Sequence, residues 1–148
     1  MFELYNWFIP SKADWITSHQ ENETLKKLAE DFYNKLDSSS LLLLILALVI
    51  GVLGAIFYYY VLNNYSGRMY KISKWFIVWL LTVLVSWLIS LGSVYFIASS
   101  ELDGTNSIIF LFSMPQIFWT LLVYFITSFM CCNVGKTNAY RFLAIRNR

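Results

Sequence analysis

The sequence predicts an all-α membrane protein: three transmembrane helices preceded by an N-terminal amphipathic, interfacial helical segment. Two observations carry this reading. Three long apolar runs occupy residues 41–62, 75–98 and 108–131. Hydrophobic types make up 58% of the chain and charged types only 14%, whereas soluble domains usually carry about 25% charged residues. The predicted organisation is an extracytoplasmic helical segment over 1–39, a three-helix bundle over 40–132 and a basic cytoplasmic tail over 133–148.

Residues 1–10, MFELYNWFIP, mix Trp7 and other aromatic and aliphatic side chains with few polar groups. Trp and Tyr favour the zone between hydrocarbon and water, because an apolar ring and a polar tip are both accommodated there. The segment is expected to lie in that zone or to offer a strip to a partner. It has neither the basic start nor the apolar core of a cleavable signal, so none is expected. Ser11, three residues before Asp14, marks a helix start.

In residues 22–36, Leu25, Leu28, Ala29, Phe32 and Leu36 recur at helical spacing with charged residues opposite, which predicts an amphipathic helix. This stripe is a candidate contact for lipid or a partner, or it folds back on the segment before it. The run Asp37, Ser38, Ser39, Ser40 is expected to break that helix and cap the next. His19 is the sole histidine, and a metal site needs several clustered ligands, so no metal is expected.

The first apolar run carries Ala47, Gly51 and Ala55 at four-residue spacing. Small side chains on one face let helix backbones approach closely in lipid, so this face is expected to meet the middle helix or another copy. Tyr58, Tyr59 and Tyr60 close the run as an aromatic belt. The second run, 24 uncharged residues, would reach ~36 Å as a helix, enough to cross a ~30 Å hydrocarbon layer. Thr82, Ser86, Ser90 and Ser93 share one of its faces; packing against a neighbour is preferred to a wet path, since no ionisable residue joins them. The third run has a polar face of Ser113, Gln116, Thr120, Tyr124 and Thr127. Pro115 should kink this helix, and Gln116 should find a partner inside the bundle. Adjacent Cys131 and Cys132 are read as small packing residues; acylation is the alternative.

Charge sets the expected orientation. Residues 1–39 hold seven acids and four bases, 63–74 hold three bases and no acid, 99–107 two acids and no base, and the tail four bases and no acid. Basic loops favour the cytoplasmic side, which places the N-terminus outside and the C-terminus inside, in a bacterial inner membrane. The tail, with Arg141 and Arg146 among Tyr140, Phe142, Leu143 and Ile145, reads as a surface helix or docking peptide.

No phosphate loop, histidine cluster or nucleophile–base pair is legible, so neither catalysis nor a cofactor is expected. Three basic residues in the first loop do not make a nucleic-acid footprint. The expected partners are membrane lipid and other protein subunits or further copies. The leading expectation is a small membrane subunit that anchors or scaffolds an assembly. An oligomeric pore lined by the polar faces of the second and third helices is the alternative, and an immunity or sensor protein is a further one. The layout resembles one holin class in topology, without a shared motif, and that resemblance implies a pore.

Overall fold

The computed structural model describes residues 2–19, 22–62, 72–100 and 102–134. The described residues form helices and turns with no strand. Two short 3₁₀ turns, Phe2–Leu4 and Asn6–Phe8, precede α1 (Lys12–Ser18), α2 (Glu23–Ile56), α3 (Ile72–Ala98), α4 (Thr105–Ser113) and α5 (Pro115–Val134). Three helical stretches are long and apolar enough to cross a membrane: Glu23–Leu62, Ile72–Ala98 and Thr105–Asn133. Their outward faces carry large apolar side chains, among them Leu80, Leu84, Leu88 and Phe96, the last 88% exposed. Water penalises so extensive an apolar surface and hydrocarbon does not, so the three helices are compatible with an integral membrane protein.

The chain packs as two compact units, Met1–Ile45 with Trp87–Gln116, and Leu46–Ser86 with Ile117–Arg148. In the first, Ser11 caps α1: its hydroxyl accepts the Asp14 backbone N–H at 3.2 Å. The Tyr33 hydroxyl donates to the Pro10 carbonyl, and Lys12 Nζ to Asn34 Oδ1 at 2.9 Å. Trp15 packs on Phe32 and Tyr33, with ring centroids 5.9 and 6.4 Å away. The stripe of α2 thus folds back on the segment before it. In the turn after α3, Gly104 has φ +83, a left-handed conformation that a side chain disfavours. Its Cα face looks onto Trp15, whose ring would stand 3.7 Å from an added Cβ.

The expected break at residues 37–40 does not occur. The helix runs through Asp37, Ser38, Ser39 and Ser40 and continues as a π turn, Phe57–Leu62, for 40 residues in all. The hydroxyls of Ser38, Ser39 and Ser40 donate to the carbonyls of Lys35, Leu36 and Asp37 at 2.7–2.8 Å. Serine thus satisfies itself inside the helix instead of ending it. The buried stripe keeps its phase across the run: Ala29, Phe32, Leu36, Ser40, Leu43 and Ala47. At ~1.5 Å per residue, 40 residues reach ~60 Å, about twice a hydrocarbon core; only the apolar half needs lipid.

Pro115 interrupts the third stretch as expected. Lacking an N–H, it cannot donate to the Leu111 carbonyl; the Met114 N–H takes that acceptor at 3.2 Å instead. The helix is thereby divided into α4 and α5 at Met114.

Candidate functional site

In the first unit, Tyr5 is wholly buried and its hydroxyl donates to Gln116 Oε1 at 3.0 Å. Its ring lies 5.7 Å from that of Phe112. Gln116 does find a partner within the protein, but the partner comes from the N-terminal segment. Burial lifts the Tyr5 hydroxyl well above the usual phenol range, because the charged form loses its hydration. One turn away, Trp87 Nε1 donates to Ser113 Oγ at 3.2 Å, while Ser113 donates to the Phe110 carbonyl at 2.8 Å. The seat of Tyr5 is thus built around Pro115, where the helix is divided.

The same unit presents its other N-terminal aromatics outward: Trp7 is 52% and Phe8 58% exposed. Leu28 is also exposed and Leu25 half-buried. Phe32 corrects the expected contact stripe: it is buried against Trp15 and cannot meet lipid or a partner. The stripe is rotated toward Ala29, Phe32 and Tyr33 because Trp15 covers that face. The His19 ring lies tilted against Trp15, with centroids 4.3 Å apart. Ser90 is buried, and its hydroxyl has no hydrogen-bond partner among the described residues.

In the second unit, Ser86 and Thr120 share a hydrogen bond of 2.7 Å, both buried. The two expected polar faces therefore face each other here. Thr82 and Thr127 instead donate to the Val78 and Val123 carbonyls of their own helices, at 2.8 and 2.9 Å. Ser128, not singled out from the sequence, accepts from Trp75 Nε1 at 3.3 Å; it continues the Gln116, Thr120, Tyr124 series at four-residue spacing.

The small residues of α2 are buried as expected, but Gly51 rests on α5. A Cβ there would stand 2.8 Å from Val123 Cγ1 and 3.3 Å from the Thr120 carbonyl oxygen. It is Gly54, beside the repeat, that meets the middle helix: an added Cβ would come within 2.6 Å of Thr82 Oγ1. Of the tyrosine belt only Tyr60 is exposed. Tyr58 and Tyr59 are buried with Ala55, Trp75, Tyr124, Cys131 and Cys132, correcting their reading as interfacial anchors. Tyr59 Oη and Cys132 Sγ are 3.1 Å apart. Both cysteines pack inside this cluster. Arg141 and Arg146, like most of the basic loop, lie outside the described residues.

No protein-family model, curated protein or solved structure matches the chain.

Proposed function

We propose that the chain is a non-catalytic membrane subunit that anchors or scaffolds a larger assembly, with its N-terminal segment as the gripping surface. The observation that carries this reading is the contrast between Tyr5 and its neighbours. Tyr5 pins the segment through Gln116, while Trp7 and Phe8 are turned outward on the same short stretch. Exposed aromatics held on a fixed backbone lose little entropy on binding, which is why such residues are enriched at protein interfaces. The engagement of Ser86 with Thr120 favours packing over a pore lined by those faces. In this reading the N-terminus faces outward and the basic tail grips a cytoplasmic partner or anionic lipid.

Affinity purification in mild detergent, followed by identification of bound chains, tests the proposal. The intact protein should bring down specific partners, and Trp7→Ala with Phe8→Ala should lose them while the fold persists. Recovery of a lone monomer from both proteins would refute it.

A further inference from the structure

The second unit holds a groove of about 680 Å³ that the anchoring role does not use. Its walls are Ile50 and Leu53 of α2, Phe57 of the π turn, and Ile77, Leu81 and Val85 of α3. Its floor is the close approach of Gly54 to Thr82, the only polar side chain in the lining, whose hydroxyl is bonded to the Val78 carbonyl. The trough therefore offers hydrocarbon no hydrogen-bonding competition along its length.

One end differs. Lys74 is exposed, and it precedes Ile77, Val78, Leu81 and Val85 by three, four, seven and eleven residues, which puts it on the same stripe of α3. Helical side chains lean toward the N-terminus, so the Lys74 ammonium lies beyond the last apolar rung. From Lys74 to Val85 the stripe runs ~16 Å along the helix. A long apolar trough with one cation a helical turn beyond its lining is complementary to an anionic amphiphile whose chain lies in the trough and whose phosphate reaches the ammonium.

We infer that this groove seats one acyl chain of an anionic phospholipid from the surrounding bilayer, with Lys74 holding the headgroup. This inference does not depend on the anchoring role. It assigns a lipid site on the flank of the bundle, and it concerns retention of one lipid class over another, since every exposed apolar face touches lipid of some kind.

Native mass spectrometry of the intact chain tests it, with phosphatidylglycerol and phosphatidylcholine of identical chains added to the detergent-purified protein. The wild type should retain the anionic lipid about five-fold more than the zwitterionic one, the preference one lysine at a membrane surface supplies. Lys74→Gln should abolish the preference. Leu81→Trp, which fills the trough from an exposed position, should lower retention of both lipids, whereas Leu88→Trp, also exposed but outside the lining, should leave both unchanged. Equal retention of the two lipids by the wild type would overturn the inference. So would an undiminished preference in Lys74→Gln, equal effects of the two tryptophans, or a dimer in place of bound lipid.

Discussion

Two buried polar contacts, one in each unit, are made in opposite ways. Ser86 and Thr120 join two apolar helices across 34 positions of sequence, each hydroxyl lying on a stripe of its own helix. Tyr5 and Gln116 join across 111 positions, and one of them lies on a short segment outside the apolar stretches. The first contact tightens packing already dictated by shape. The second fixes the residues before Pro10, whose carbonyl Tyr33 holds, so it decides where the neighbouring aromatics point.

The comparison can be broken where shape dominates. Gly51→Leu puts side-chain atoms into Val123 and the Thr120 backbone. Overpacking of this kind costs about 1–3 kcal/mol, read as a fall in the unfolding midpoint in detergent. The N-terminal segment should stay protected from protease below that midpoint.

Gln116→Leu attacks the other contact and leaves the Tyr5 hydroxyl buried without its acceptor, at about 1–3 kcal/mol. Here the loss should fall on the segment: protease cleavage near Trp7 should rise several-fold, with a smaller change in global unfolding. Adding Tyr5→Phe should recover part of the loss, because both polar groups are then gone. A double-mutant cycle with no coupling between the two positions would count against the contact.

The two serines of α3 sharpen the comparison at a smaller scale. Ser86→Ala removes a partner from Thr120 and should cost about 0.6 kcal/mol, the average for such bonds between membrane helices. Ser90→Ala deletes a buried hydroxyl that has no partner among the described residues, so it should be neutral or slightly stabilising.

The smallest effect vanishes at neutral pH. Because burial raises the folded-state pKa of Tyr5 above the unfolded value of about 10, its contribution is complete below pH ~10 and is lost as pH rises beyond it. Release of the segment, followed by protease protection, should begin above pH ~10 in the wild type. That dependence should be weakened in Tyr5→Phe, where the remainder belongs to Tyr33, whose hydroxyl is pushed up to about 12 by burial and holds Pro10 of the same segment.

The contrast also explains what was legible in the sequence. Apolar runs declare themselves locally, so the three long helices could be placed without coordinates, and Pro115 interrupts the third where its missing N–H requires. Periodicity likewise exposed the faces that bring Ser86 to Thr120. The same periodicity runs through the serines: the stripe from Leu36 through Ser40 to Leu43 keeps its phase, which outweighs the capping tendency of a serine run. Nothing local couples Tyr5 to Gln116, because neither residue's neighbours encode the other. Tyr58 and Tyr59 misled for a related reason: a tyrosine at the end of an apolar run looks the same whether its ring meets headgroups or Trp75.

The span between Tyr5 and Gln116 has a consequence for biosynthesis. The tyrosine leaves the ribosome ahead of its acceptor, which follows 111 positions later. At ~5–20 residues per second, that delay is roughly 6–20 s. Throughout it Tyr5 has no seat, and any nascent chain that stalls before the third long helix leaves its hydroxyl without this acceptor. Closure of this contact thus reports that translation has passed the proline, and it makes an early stretch of the chain wait on a late one.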